Sequence, residues 1–386
     1  MDYLLNFFNP ISIDLQLYCD TLSDSVMGNY IKKYSVDHEP LLLKKSVVII
    51  GIPSSEDILL EQSENALKNI RRELYALHVG NWESNIIDLG NLKVEDDTDL
   101  QTLIQELLVT LIKNQMVPVL IGGSQALTYN IYRSFDDLEK KVNLTVVDPS
   151  FDLGLLSEPL SHNSYLTHII MDKPNNLMNY VNLGYQTYLN AQEEIELLDK
   201  MYFETYRLGI LKKDITLVEP VLRESDIISI DLDVLKASEI PNNNLPNING
   251  FTTDELCQIS RYAGVSDYLS VFSVFNEKIF NTNDSYISQV VAQMIWYFID
   301  GYHFRINEFP DEHLLEYKKY NVLIDDETIT FYKSNMSNRW WMEINVFMDN
   351  NLNRKTLIPC TYKDYLSATN KQIPDRWYLN RKKMNF

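Results

Sequence analysis

Four aspartates stand where apolar runs of this sequence end. Ile227 to Leu235 reads I-I-S-I-D-L-D-V-L, with Asp231 and Asp233 one residue apart at its far end. Val142 to Asp152 reads V-N-L-T-V-V-D-P-S-F-D and ends on Asp148 and Asp152. A third apolar run, Val117 to Ile121, enters Gly122-Gly123-Ser124. Side chains two apart on a strand share a face, which predicts that Asp231 and Asp233 point together. Adjacent carboxylates repel unless a cation, an acid partner or a shared proton compensates. The chemistry open to such a set is divalent-metal binding. The plainer reading is a solvated strand end, or a helix N-cap at Asp233.

Positioning these groups requires a sheet whose strands all end on one rim. Strand signals at Val47–Ile52, Ile86–Leu89, Val117–Ile121 and Val142–Val147 alternate with helical patterns at Glu64–Ala76, Asp99–Lys113 and Ala126–Ser134. That alternation predicts right-handed βαβ units and a parallel sheet. Ser63 and Asp99 read as N-caps of the first two helices. Ser161–Asp172 reads as helical, Asn182–Gln186 as a short strand followed by a turn, and Glu193–Met201 as a helix. Val218–Leu222 is a further apolar piece. Thr253–Gly264 reads as a helix, Tyr268–Phe275 as the last buried strand, and Asp284–Phe304 as a long helix. In open α/β sheets the ligand crevice lies at the carboxyl ends of the strands.

The order G-G-x, then D-x-x-x-D, then S-x-D-x-D resembles the arginase, agmatinase and formimidoylglutamase family, the ureohydrolases, over about residues 45 to 305. Val47–Pro53, Ile70-Arg71-Arg72 and Ile86–Gly90 add to the likeness, which is nearest to bacterial formimidoylglutamase-like proteins. The resemblance implies a three-layer α/β/α fold with a mainly parallel sheet of about eight strands. It also implies two Mn²⁺ ions that bridge a hydroxide, with Asp148, Asp152, Asp231 and Asp233 at metal-ligand positions. Two family histidines fall at Ser124 and Ser150, and Pro149 replaces an alanine. The family's substrate-binding Glu, in S-E-x-N-P, falls at Val274, and Glu277 stands at the Pro. His162 falls near the family's proton-shuttle histidine, while His168 reads as structural. Serine hydroxyls are weak neutral ligands where Mn²⁺ takes imidazole.

Three lost site residues on an intact scaffold predict a catalytically inactive relative, a pseudoenzyme acting as a binding or assembly subunit. The alternatives are a metal-dependent formimidoylglutamase-like hydrolase of amidine or guanidine bonds, and a small-molecule sensor using the old pocket. No cofactor is expected beyond one weakly bound divalent cation, Mg²⁺, Ca²⁺ or Mn²⁺.

The remaining features bound the setting. The formal charge of −20 repels nucleic acid and anionic lipid. Cys19, Cys257 and Cys360 are far apart and form no C-x-x-C pair, which suits a reducing cytoplasm. No apolar run approaches membrane-spanning length, and Gly122-Gly123 lacks the lysine of a phosphate loop. Residues 1–44 read as an N-terminal extension packed on the 45–305 domain, broken by Pro10. Residues 306–386 read as an aromatic-rich C-terminal extension, packed as a cap or exposed as a surface for a protein partner, with Trp340, Trp341 and Trp377 as its anchors. The family it resembles commonly forms trimers or hexamers, which leaves a homo-oligomer open to this chain without fixing its state. Glu204 and Arg207 read as an exposed pair on a helix.

Overall fold

A computed structural model describes residues 2–54, 56–94, 100–240, 247–280, 284–310, 316–347 and 353–384. The Asp99 cap lies outside these residues. Ten strands form one sheet: β1 (Phe8–Asn9), β2 (Lys32–Lys33), β3 (Val47–Gly51), β4 (Ile86–Leu92), β5 (Val117–Ile121), β6 (Val142–Val147), β7 (Leu177–Tyr185), β8 (Glu204–Arg207), β9 (Ile227–Asp231) and β10 (Val271–Phe275). Eight run parallel in the order β4-β3-β5-β10-β9-β6-β7-β8. Short β2 adds parallel to β4, and β1 adds antiparallel.

Alternation along buried strands divides the core into two layers. Val47, Ile49, Val119, Ile228 and Ile230 join helices Asp57–Ala76, Thr253–Val265 and Ser285–His303 on one face. Val48, Ile50, Leu120, Leu144 and Val146 join helix Leu100–Lys113 on the other. This is the three-layer α/β/α arrangement, and the central strands β3, β5, β10, β9 and β6 are largely apolar on both sides because helices cover both faces. Thr252 caps its helix through a reciprocal capping box with Glu255, and Asp284 caps the next.

Several local expectations are corrected. Ser63 is no cap: the helix starts at Asp57, and the Ser63 hydroxyl accepts from the Ser54 N–H and donates to the Leu60 carbonyl. Val218–Glu224 is helical, and the helix after Ser161 is confined to Tyr165–Met171. Glu204 lies on strand β8, not on a helix.

Beyond the sheet, β11 (Tyr317–Ile324), β12 (Glu327–Ser334), β13 (Trp340–Phe347) and β14 (Asn353–Cys360) form a separate antiparallel sheet, followed by helices Tyr362–Thr369 and Asp375–Met384. Trp340, Trp341 and Trp377 are buried. Trp340 and Trp377 build this sheet's own core, and the Trp377 indole N–H donates to the Glu343 carbonyl. These tryptophans are core residues rather than exposed contacts.

A buried ion pair ties the two sheets together. Arg376 reaches Glu204 at 2.8 Å and Glu224 at 2.9 Å, and donates to the Pro359 carbonyl. Tyr206 donates to Glu204 at 2.9 Å. Glu204 is therefore the partner of Arg376, not of Arg207. Burial alone would raise the Glu204 carboxyl, but Arg376 and Lys383 override it and hold the group at about 2. Among the described residues, no helix is long and apolar enough to cross a membrane.

Removing one member of a buried pair strands the other charge, so Arg376→Met should cost about 3–5 kcal/mol. Because the folded Glu204 carboxyl titrates below its unfolded value, the pair contributes fully above pH 4.5 and is lost as pH falls toward 2. Chemical unfolding of parent and variant at pH 7 and pH 3 checks this. A gap between them that fails to shrink at pH 3 would contradict it.

Candidate metal-type carboxylate site

The four aspartates converge at the carboxyl ends of β6 and β9, as buried parallel strands require. Asp148 follows β6, and Asp231 is the last residue of β9, beside Phe275 of β10. Asp233 is not on the strand. It sits in a 3₁₀ turn, Leu232–Val234, capped by the Asp231 carboxylate, which accepts from the Asp233 N–H. The shared strand face expected of the two is therefore replaced by a turn that folds Asp233 back toward the site.

Asn276, the residue after β10, closes that pair. Its amide donates to Asp231 Oδ1 at 2.7 Å and to Asp233 Oδ1 at 2.8 Å. Its carbonyl oxygen accepts from the Ile279 N–H at 3.1 Å, which fixes which way the amide faces. Asn276 is a site residue that the metal motifs alone did not single out. The Gly-Gly turn abuts it: the Gly122 N–H donates to the Val274 carbonyl, and the Asn276 N–H to the Gly123 carbonyl. Gly122 has φ +96°, and a Cβ there would meet the Ile52 carbonyl oxygen at 2.4 Å, so glycine is required.

Ser150 closes the other pair. Its N–H lies 2.7 Å from Asp148 Oδ1, and its hydroxyl lies 2.9 Å from both Asp148 Oδ1 and Asp152 Oδ1. A hydroxyl carries one proton. The second of these contacts is complete only when one carboxyl is itself protonated. The loop is strapped from outside by Asn190, which accepts from the Phe151 N–H and donates to the Pro149 carbonyl, and by Asn182, which donates to the Ser150 carbonyl.

Electrostatics agree with a proton-sharing cluster. Burial, then the Asp152 charge, pushes Asp148 well above the carboxylate range. Burial, with Asp231 and Asp233 behind it, pushes Asp152 up to about 8 against the Ser150 hydrogen bond. Burial and the charges of Asp148 and Asp233 raise Asp231 well above its ordinary value. Asp233 is raised by burial, opposed by Asn276, Lys278 and His162.

Ser124 opens into the same cleft, with Gln125, His162, Asp231, Asp233, Asn276, Glu277 and Lys278 around it. The Ser124 hydroxyl accepts from the Ala126 N–H rather than touching a carboxylate. Burial and Lys278 lower the His162 imidazole, so it is neutral at pH 7. His168 lies elsewhere, against Tyr129 and Asp172. Val274 is fully buried in the core beneath the rim and offers nothing to the cleft. Glu277, on the cleft's edge, accepts from the Ser54 hydroxyl at 2.9 Å.

A family model described as "Arginase family" matches residues 45–274. The chain belongs to the arginase family. Similar solved structures include a formiminoglutamase of Trypanosoma cruzi with Mn²⁺, at 16% identity and TM-score 0.59, over 68% of this chain and 94% of that one. The formimidoylglutamase of Bacillus subtilis follows at 17% identity and TM-score 0.57, over 68% and 89%. A hypothetical agmatinase of Burkholderia thailandensis stands at 16% and 0.55, over 67% and 86%. An uncharacterized 32.2 kDa protein of Methanothermus fervidus is 25% identical over 186 residues, 47% of this chain and 64% of its own length. The match thus spans less than two thirds of that curated relative.

The family implies a manganese pair. The side chains hydrogen-bonded to the carboxylates here are a serine and an asparagine rather than imidazoles, and among the described residues no group of three His, Cys, Asp or Glu is placed to hold a metal ion. Such a set does not fit an imidazole-plus-carboxylate pair of Mn²⁺ ions.

A carboxyl whose folded value lies near 8, against an ordinary 3.8, binds its proton more tightly in the folded chain. Its stabilising contribution is complete below pH 3.8 and is lost as pH rises through 8. Stability should fall by up to about 1.4 kcal/mol per pH unit for each such proton between about pH 5 and 8. Asp152→Asn should flatten that slope and be the more stable protein at about pH 8.5, measured by urea unfolding. A parent whose stability is level across the window would refute the shared proton.

Proposed function

We propose that this chain is a non-catalytic member of the arginase family, retained as a binding or assembly subunit. The observation that carries this reading is the Ser150 hydroxyl lodged between Asp148 and Asp152, at a position where the family resemblance places an imidazole. The cluster meets its charge with protons and amide donors, so it lacks the electrophile needed to make hydroxide from water at neutral pH. Two further features support the reading. Val274 is buried at the position of the family's substrate carboxylate, so an incoming cationic amidine meets no partner there. The cleft has a volume of about 50 Å³, against roughly 300–1,000 Å³ for ordinary ligand pockets. That size also speaks against a metabolite sensor built on this cleft. One observation favours a hydrolase of linear amidines instead: neutral His162 faces Asp233 across the cleft, as a proton carrier would.

Assays of arginine, agmatine and formiminoglutamate with added Mn²⁺ separate the two readings. The pseudoenzyme reading expects urea and formamide release at the level of the buffer blank. Release that depends on Mn²⁺ and disappears in Asp231→Asn would establish the hydrolase.

A further inference from the structure

A second cavity lies at the other end of the sheet, and the C-terminal extension makes it. Its volume is about 380 Å³. The family domain supplies Asn143, on β6 at the end opposite Asp148, and Asp226, just before β9, together with Met178 and Arg223. The extension supplies Phe309, Trp341 and Pro359. The cavity is therefore remote from the four-aspartate cleft, and a ligand bound in it is independent of whether that cleft hydrolyses anything.

Apart from Glu308, which accepts from the Ser337 hydroxyl but leaves its Oε1 without a hydrogen-bond partner among the described residues, the carboxylates and lysines around this cavity are matched. Asp226 pairs with Lys140 and accepts from the Asn143 N–H. Lys141 donates to the Asn175 carbonyl. Glu224 is held by Arg376 at 2.9 Å. Asp267 accepts from the N–H groups of Asn307 and Glu308.

Arg223 is different. Only 4% of it is exposed, and its guanidinium lies 4.5 Å from the centre of the Trp341 ring. Its two terminal nitrogens donate to the Trp340 carbonyl and to Glu219. Its Nε has no hydrogen-bond partner among the described residues. A buried donor left without an acceptor costs about 1–3 kcal/mol. Natural chains retain such a group where something else completes it.

We propose that this cavity is a binding site for a neutral, flat, mainly apolar small molecule carrying one acceptor oxygen, an aromatic ketone, ester or amide. Trp341, Phe309, Met178 and Pro359 supply the apolar walls, and Arg223, through the Nε that lacks a protein acceptor, supplies an orienting donor. The charge pattern sets neutrality. Lys140, Lys141 and Arg223 stand against Glu224, Asp226, Asp267 and Glu308 around it, so the lining favours neither an anion nor a cation. The volume falls within the range of ordinary ligand sites, and apolar walls with few polar groups are their usual lining. On this reading the extension is the half of a binding site that the family domain lacks.

The probe is prodan, a neutral naphthyl ketone whose emission moves to shorter wavelength in apolar surroundings. Titrated into the full chain, it should bind saturably, one per chain, with blue-shifted emission. Met178→Trp should fill the cavity and weaken binding at least tenfold with the melting temperature unmoved, since Met178 is 42% exposed and tolerates exchange. Arg223→Lys keeps the charge, removes the Nε donor, and should weaken binding several-fold. Asp231→Asn, at the opposite end of the sheet, should bind as the parent does. Absence of saturable binding, or parent-like binding by Met178→Trp, overturns the proposal. Loss of binding in Asp231→Asn overturns it too, since the probe would then sit in the other cleft.

Discussion

Four carboxylates driven to one buried rim set the terms for this structure. Parallel strands that are apolar on both faces can end only where helices cease to cover them, and here Asp148 and Asp231 stand at those ends with Asp152 and Asp233 in the turns that follow. Like charges at that spacing cannot all ionise in a dry site. The resemblance to metal-dependent relatives identifies cations as one solution. This chain carries another: a serine hydroxyl and an asparagine amide each tie two carboxyls, and burial makes protons the remaining neutralising charge. On the proposed non-catalytic reading, the arrangement preserves the scaffold's geometry while protons stand in for the Lewis acid on which hydrolytic chemistry in such a site depends.

The C-terminal extension answers to a different physical demand. The sheet's edge strand β8 carries Glu204 into a dry environment, where an unpaired carboxylate is costly. Arg376 meets it from a helix 172 residues further along the chain, and Tyr206 and Asn380 complete the network. Trp340, Trp341 and Trp377 are thereby placed in the interior rather than on a surface. An aromatic-rich segment read in isolation suggests contact with a partner; packed as a second sheet, the same residues supply its core and one wall of the Arg223 cavity.

How far the sequence reveals this differs from element to element. Most of the parallel strands and the convergence of the four aspartates are legible, because buried strands declare themselves by continuous β-branched runs and their ends by Gly, Asp and Pro; the short edge strand β8 carries no such run and reads as helix. Asp233 is misplaced by strand periodicity, since Asp231 caps a turn and stops the strand early. Ser63 is misread because a serine before a helical stripe looks the same whether it begins the helix or lies well inside it. Glu204 is misread because its partner is fixed by tertiary packing, which no local window contains. Asn276 is a residue of modest propensity whose importance comes from what the neighbouring strand places beside it. Arg223 offers no sequence signal either, because an unpartnered donor exists only once the fold has withheld an acceptor.

The proposed exchange of a metal site for a proton-sharing one turns on two lost imidazoles, on strands that still aim at one point. It is tested most directly by the Mn²⁺ dependence of the melting temperature in the parent and in Ser124→His with Ser150→His. Mn²⁺ should leave the parent nearly unmoved and raise the double variant, because binding to the folded state alone stabilises by mass action. Equal stabilisation of the two proteins by Mn²⁺ would show that the parent never lost its metal, and would contradict the exchange.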